Sequence, residues 1–340
     1  MAPTKLIIFN IVASKKIGLG HIYRAISIAE LMQPVFNSII FCKRPHYDYC
    51  LKIFPKYKKI RSYTNQENFF QQLEEMAPGL VINDVLSTSK NYMRKLKNKK
   101  FPIINFEDLG AGSILANTVL NELYDSPLNS NNNALWGHKY YLLRDEFLKK
   151  KPPIFKKKVT GILITLGGTD QNNFSLLALN QVMKLSELKK IKIYVVIGAG
   201  YSYFKNLKKA IGQYQKGGSD IELIYHTGKM SQIMSKCQIG IASNGRTVYE
   251  LCYMRIPSII LSHHKRELGH SFADPLRGFM PLGTYRKGIT EKKIRDGIEK
   301  LVLDQAFRKQ LYCNNAKVRF NQNKKNLKKL ILEIINDELQ

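Results

Sequence analysis

Short apolar runs alternate with helix-patterned stretches along the whole chain, and the alternation runs through twice. In the first half Leu6–Val12, Ser38–Cys42, Leu80–Asn83 and Ile103–Phe106 read as strands, with helical stretches near His21–Met32, Gln66–Met76 and Lys90–Leu96. In the second half the strand candidates are Gly161–Thr165, Lys192–Ile197, Ile221–Ile224, Ile239–Ala242 and Ser258–Leu261. The helical stretches there fall near Phe174–Leu185, Met230–Lys236, Arg246–Tyr253 and Glu267–Arg277, and a lysine-rich helical end begins about Glu291. Strands that are apolar on both faces and separated by helices predict parallel sheets covered on both sides. Asn129–Asn133 reads as a polar loop, and Pro152–Pro153, between the lysine runs 149–151 and 156–158, as a linker. The expectation is two doubly wound Rossmann-like α/β domains, residues 1–150 and 151–340, the second carrying the C-terminal helices. Such sheets bind ligands at the carboxyl ends of their strands, so two halves facing each other across a cleft would make one site.

Composition narrows the partners. Lys and Arg number 54 against 26 Asp and Glu, a formal net charge of +28. The lysines are spread along the chain on helix faces, and no strip interleaves them with aromatics as a stacking platform would. The charge is therefore read as background composition and not as a nucleic-acid surface. The basic C-terminal segment, with Lys324, Lys325, Lys328 and Lys329, adds at most a weak attraction to anionic lipid. No run of eighteen apolar residues occurs, and Leu6–Val12 is too short for a signal peptide core. Five cysteines without a Cys-x-x-Cys pair argue against a disulfide framework or a zinc site and fit a reducing cytoplasm.

Three turns follow strands and open helices. Gly18-Leu19-Gly20-His21-Ile22-Tyr23-Arg24 comes first. Gly18 and Gly20 let the backbone turn tightly, and His21 at the helix start is placed as a base whose neutral form the helix terminus favours. Arg24 either steadies the turn or faces a phosphate. The second is Leu166-Gly167-Gly168-Thr169-Asp170, where Gly167 and Gly168 allow close approach to a phosphate and Asp170 suits a helix cap. The third is Ser243-Asn244-Gly245-Arg246-Thr247-Val248-Tyr249-Glu250, whose backbone N–H groups would cradle a diphosphate without metal. Glu250 shares a helix face with Thr247 and is placed for two ribose hydroxyls. The chain contains no Asp-x-Asp pair, so neither a metal site nor a cofactor is expected.

Taken together these segments resemble the GT-B superfamily and, within it, the SpsG-like proteins of surface-polysaccharide biosynthesis, which are similar to PseG, the UDP-sugar hydrolase of the pseudaminic acid pathway. The resemblance runs from about Lys5 to Gly283. It includes the three turns, Ile82-Asn83-Asp84-Val85-Leu86, Asn105-Phe106-Glu107-Asp108-Leu109-Gly110, and Tyr140-Tyr141-Leu142-Leu143-Arg144-Asp145-Glu146-Phe147. Arg266-Glu267, His270-Ser271-Phe272-Ala273 and Leu282-Gly283 complete it. The resemblance implies a GT-B fold, a nucleotide held mainly by the second half, and His21 as the base that activates water. One departure bears on hydrolysis: the hydrolases carry a tyrosine just after the strand ending at Asp84, where this chain has Val85 and Leu86.

Asp84, Glu107 and Asp108 at strand ends are read as contacts to sugar hydroxyls, as supports for His21, or as loop caps. Glu267 and His270 are candidates for the sugar or phosphate, His270 being equally readable as a helix-surface residue; His263 and His264 follow a strand and border the base site. The expected activity is hydrolysis of a UDP-sugar in surface-glycan or nonulosonic acid synthesis. A glycosyltransferase using the same groups and a non-catalytic sugar-nucleotide-binding protein are the alternatives. The oligomeric state is not legible.

Overall fold

The computed structural model describes residues 6–337 apart from 15–16, 34, 126, 129–130 and 186–189. Met1–Lys5, Asn129 and Ser130, which entered the readings of the chain start and the asparagine loop, lie outside the described residues. The chain divides into two units, Met1–Leu142 with Asn321–Gln340, and Leu143–Phe320.

The first unit runs β1 (Leu6–Ile11), α1 (Gly20–Met32), β2 (Asn37–Lys43), α2 (Arg44–Ile53), β3 (Ile60–Tyr63), α3 (Gln66–Met76) and β4 (Leu80–Asp84). It continues through α4 (Lys90–Lys97), β5 (Ile103–Phe106), β6 (Thr118–Asn121) and β7 (Ala134–Trp136). All seven strands are parallel, in the order β3-β2-β1-β4-β5-β6-β7. The order reverses between β1 and β4, the place where doubly wound sheets open a crevice. On α1, Ile22, Ala25, Ile28, Ala29 and Met32 form the apolar stripe that packs on Ile7, Phe9 and Ile11. The opposite face of the sheet is closed by Phe69, Phe70 and Leu73 of α3 and Met93 and Leu96 of α4.

The second unit runs α5 (Asp145–Leu148), β8 (Gly161–Thr165), α6 (Phe174–Val182), β9 (Lys192–Ile197), α7 (Phe204–Lys216), β10 (Ile221–Tyr225) and α8 (Met230–Met234). Then follow β11 (Ile239–Ser243), α9 (Thr247–Tyr253), β12 (Ser258–Ser262), α10 (Lys265–Leu268), β13 (Phe279–Thr284), α11 (Ile289–Leu303) and α12 (Gln305–Lys317). Its six parallel strands lie in the order β10-β9-β8-β11-β12-β13, again reversing beside the first strand, here between β8 and β11.

The division differs from the expected one in two respects. The boundary falls at 142/143, not 150/151, and the last helix, α13 (Asn323–Asp337), belongs to the first unit. Its Leu327, Ile331, Ile334 and Ile335 are buried in the same core as α1 and β1. Each such side chain contributes about 1.5–3 kcal/mol on burial, enough to fix the helix there. Its Asn323 amide also donates to the carbonyls of His138 and Tyr141 at 2.7 and 2.9 Å. The Pro152–Pro153 segment is packed, not a free linker: Tyr312 Oη donates to the Pro153 carbonyl at 2.9 Å, and the buried Arg308 guanidinium donates to the Lys156 and Lys157 carbonyls. The expected helix Glu267–Arg277 is also corrected. It is the four-residue α10 followed by coil and a short 3₁₀ turn at Pro275–Arg277, because Gly269 and Pro275 interrupt the pattern. Among the described residues no helix is long and apolar enough to cross a membrane.

Candidate functional site

In the first unit the site residues gather at the β1/β4 reversal. Gly18 takes φ 93 and donates its N–H to the Ser14 carbonyl at 2.8 Å, turning the chain back so that α1 starts at Gly20. That conformation favours glycine. His21 is the second residue of α1 and is 8% exposed. Its Nδ1 lies 2.6 Å from Oδ1 of Asp84, the last residue of β4. Arg24, one turn along the same helix face, donates through Nε to Asp84 Oδ2 at 2.8 Å. Its Nη1 lies 2.9 Å from Glu122 Oε1 and 3.4 Å from Glu107 Oε1, and its guanidinium sits over the Phe106 ring at 4.8 Å.

Three neighbouring strands thus each deliver a carboxylate to one guanidinium. Asp84 ends β4, Glu107 directly follows β5, and Glu122 directly follows β6. Burial opposes the charge on Arg24, and Asp84, Glu122 and Glu107 outweigh it, so its pKa is raised. Burial, then the neighbouring Glu122 and Asp84 charges, push the Glu107 carboxyl up to about 8 against the pull of Arg24. Glu107 also has φ 51, an uncommon backbone for a non-glycine residue, and its Oε1 accepts the Leu123 N–H at 3.2 Å.

This arrangement decides which nitrogen of His21 is available. Asp84 is paired with the Arg24 guanidinium, and a carboxylate in such a pair only accepts. The hydrogen therefore sits on Nδ1, and Nε2 is left with its lone pair. When Nε2 takes a proton, Asp84 stabilises the charge that forms, the logic of an Asp–His pair. Of the two readings of Arg24, steadying the turn or facing a phosphate, its burial at 3% exposure and its contacts to the carboxylates fit the first. Asp108 is a loop cap. It accepts Thr88 Oγ1 at 2.6 Å, Thr88 N at 3.0 Å and Gly110 N at 2.8 Å. It also ends a buried amide chain that runs from Asn10 through Tyr92 and Asn83 to Asn105, on the sheet face away from His21. Asn10, Asn83 and Asn105 are register partners, so the chain ties together the carboxyl ends of β1, β4 and β5. Directly after Asp84, Leu86 takes φ 70, with Val85 and Leu86 both half-buried.

In the second unit the β8/β11 reversal brings two loops together. Gly167, φ 90, leaves room for Ser243: a Cβ there would lie 3.2 Å from Ser243 Oγ. A Cβ on Gly168 would meet nothing within 4 Å. After Ser243 the chain turns through Asn244, Gly245 and Arg246 into α9. Asn244 anchors the segment after β12. Its Nδ2 donates to the carbonyls of Glu267 and His270 at 2.7 and 3.0 Å, and its own carbonyl lies 2.6 Å from His270 Nδ1. His270 is buried in coil, not on a helix surface. Burial, with Arg266 and His264 nearby, pushes its pKa down to about 4, so the ring is neutral at pH 7 and its Nε2 accepts. The Glu267 carboxylate takes the His263 N–H at 2.7 Å. His263 Nε2 lies 2.7 Å from the Leu166 carbonyl, and its ring stacks on Phe174. Asp170 caps α6 through the N–H groups of Phe174 and Ser175 at 2.8 and 2.7 Å.

Glu250 lies one turn into α9, three residues after Thr247, and is 7% exposed. Burial raises its pKa and Arg144 pulls it back. Arg144 Nε and Nη2 both approach Glu250 Oε1, at 2.9 and 2.8 Å. Of the expected residues, the structure gathers Gly18, Gly20, His21, Arg24 and Asp84 at one reversal. It gathers Gly167, Ser243, Asn244, Gly245, Glu267 and His270 at the other, with Arg246, Thr247 and Glu250 on the adjoining turn and helix. Glu122 and Arg144 were missed as site residues. Glu122 carries the same signal as Glu107, an acid directly after an apolar strand. Arg144 lies inside the segment Tyr140–Phe147.

No protein-family model matches the chain. The spore coat polysaccharide biosynthesis protein SpsG of Bacillus subtilis is 22% identical over 76% of this chain and 78% of that protein. A Helicobacter pylori protein named pseudaminic acid cytidylyltransferase and UDP-2,4-diacetamido-2,4,6-trideoxy-beta-L-altropyranose hydrolase is 24% identical over 69% of this chain. An uncharacterised protein of Methanocaldococcus jannaschii is 28% identical over 73% of it. The matched span is 54% of the archaeal protein and 43% of the Helicobacter protein. Among solved structures, MurG of Acinetobacter baumannii superposes with a TM-score of 0.64 at 11% identity, covering 97% of this chain and 99% of that one. HepE of Anabaena, in complex with UDP-glucose, gives 0.59 at 10% identity over 98% and 99%. The chain has the GT-B fold and is similar to SpsG and to the PseG-like Helicobacter protein. The strand-order reversals carry His21 in one unit and Ser243–Glu250 in the other.

Proposed function

We propose that this protein is a sugar-nucleotide-processing enzyme of surface-polysaccharide or nonulosonic acid synthesis, and that it hydrolyses a UDP-sugar with His21 as general base. The observation that carries the reading is the buried His21–Asp84 pair, fixed by Arg24 at the β1/β4 reversal. Water loses a proton to His21 Nε2 as its oxygen attacks the sugar carbon bonded to the diphosphate. That carbon–oxygen bond breaks and UDP leaves. The leaving charge is met by backbone N–H groups of the turn after Ser243 and of Gly167–Gly168, with Arg246 beside them. Glu250 takes the ribose hydroxyls. The names of the Bacillus and Helicobacter relatives support the substrate class, and a neighbour crystallised with UDP-glucose is consistent with it.

One observation favours a second reading. Val85 and Leu86 put apolar side chains where the hydrolases carry a tyrosine. A sugar or lipid hydroxyl could then replace water, with His21 still the base. The test is incubation with a panel of UDP-, GDP- and CMP-sugars, read by mass spectrometry, for the wild type and His21→Ala. Free sugar formed in water alone, lost by at least about a hundredfold in His21→Ala with UDP affinity retained, is the expected result. Turnover only with an added acceptor selects the transferase. Undiminished turnover in His21→Ala removes His21 as the base.

A further inference from the structure

The geometry points to Arg144 as a positioning residue that turns the Glu250 carboxylate toward the two ribose hydroxyls and so selects ribose over 2′-deoxyribose. This rests on the nucleotide-binding reading of the Ser243–Glu250 segment. A nine-tenths-buried carboxylate has to be paired, but pairing can be done in several ways. Here both Arg144 contacts fall on one oxygen. Nε and Nη2 lie 2.9 and 2.8 Å from Oε1. A carboxylate offers about four acceptor positions over its two oxygens. Two donors from one guanidinium edge on Oε1 occupy that oxygen and turn Oε2 toward a ligand donor.

Arg144 is itself fixed. Its Nη1 lies 2.8 Å from Glu146 Oε1, and Glu146 Oε2 accepts the Ser231 N–H at 3.1 Å, at the start of α8. The guanidinium also sits 5.1 Å from the Phe147 ring centre. The carboxylate orientation is therefore referred to the backbones of α5 and α8 and not to the rotamer freedom of one glutamate. Lysine in place of arginine keeps the charge that neutralises Glu250 and loses the planar fork that orients it.

The test compares UDP with 2′-deoxy-UDP by calorimetry on the full chain, in the wild type, Arg144→Lys and Glu146→Gln, each checked for an unchanged circular dichroism spectrum and cooperative melting. The wild type is expected to prefer UDP by about tenfold or more, the range for hydrogen bonds to a charged acceptor. Arg144→Lys is expected to bring the ratio to within about twofold of one by weakening UDP alone, with Glu146→Gln between the two. A role in folding or charge balance alone would lower both affinities together and keep the ratio. A retained ratio in folded Arg144→Lys and Glu146→Gln overturns the inference and leaves the nucleotide reading standing. A wild type that binds neither nucleotide overturns that reading, and the inference with it.

Discussion

Replacing Asp84 by asparagine changes no heavy-atom count and isolates the tautomer argument. Asp84 accepts Arg24 Nε on Oδ2 at 2.8 Å and faces His21 Nδ1 with Oδ1 at 2.6 Å. An amide has one acceptor oxygen. Arg24 can only donate, so that oxygen must turn to Arg24 and the NH₂ group must face His21. Nδ1 then has to accept, the hydrogen moves to Nε2, and the lone pair needed for water is gone. The loss expected is about 10²–10⁴-fold in turnover, or about 3–5 kcal/mol in the barrier. The fold should survive, because Arg24 keeps Glu122 at 2.9 Å and Glu107 at 3.4 Å. Stability then falls by less than the roughly 3–5 kcal/mol of a fully broken buried pair. The assay is product release from the substrate found for the wild type, with UDP calorimetry and ¹⁵N spectra of the imidazole on the same sample. Turnover within about threefold of wild type in folded Asp84→Asn would refute the reasoning, and so would a hydrogen still on Nδ1.

Glu250→Ala should weaken UDP binding by about 1–3 kcal/mol and leave uracil binding unchanged; calorimetry with both ligands reads it, and unchanged UDP affinity removes Glu250 from the site. Turnover should persist in EDTA, since backbone N–H groups and Arg246 are the proposed partners of the diphosphate; loss of activity restored by magnesium would overturn that assignment. Glu107 holds its proton up to about pH 8 when folded and only to its ordinary value of 4.5 when unfolded, so its contribution to stability falls as pH rises across that window. Glu107→Gln removes this fall. Urea unfolding should show the variant gaining on the wild type from about pH 5 to above pH 8, and a pH-independent difference would sink the assignment.

The doubly wound rhythm was legible because its central strands are apolar on both faces. Leu80–Asp84, Ile103–Phe106, Gly161–Thr165 and Ile239–Ser243 are buried along their whole length, and each was read as a strand within a residue at either end. Of the elements not read, β6 is buried along its whole length but has only four residues, half of them polar, while others break that pattern outright. β7 is a three-residue edge strand, and β13 contains Pro281 and Gly283, which local rules count against a strand. Pro281 is tolerated there because β13 lies at the edge of its sheet. The helix α7 buries only Leu207 and Ile211, so its lysines hide the stripe. Neither the unit boundary nor the destination of α13 is a local property. Two prolines signal an extended segment, but not that Tyr312 and Arg308 hold its neighbours against α12. An apolar stripe on a terminal helix likewise says that something must cover it, without saying which sheet.

The site divides along the same line. Turn chemistry made Gly18, Gly167 and the Ser243–Arg246 turn readable, because a strand followed by small residues and a helix has few other uses. What could not be read is convergence. Asp84, Glu107 and Glu122 each stand at the end of a strand, so all three acids were visible as local features. Only the order β4-β5-β6 makes those ends neighbours, and only the one-turn spacing of His21 and Arg24 brings a cation among them. The outcome fits the reading of Arg24 as a support of the turn and not the one that faces a phosphate. A guanidinium facing a ligand phosphate would leave the buried Asp84 carboxylate without its cation and less able to fix the His21 tautomer. Buried among three carboxylates, Arg24 instead engages Asp84, while the excess negative charge is relieved at Glu107, whose carboxyl is pushed up to about 8 and so keeps its proton. The base proposed at His21 therefore depends on a residue committed to carboxylates.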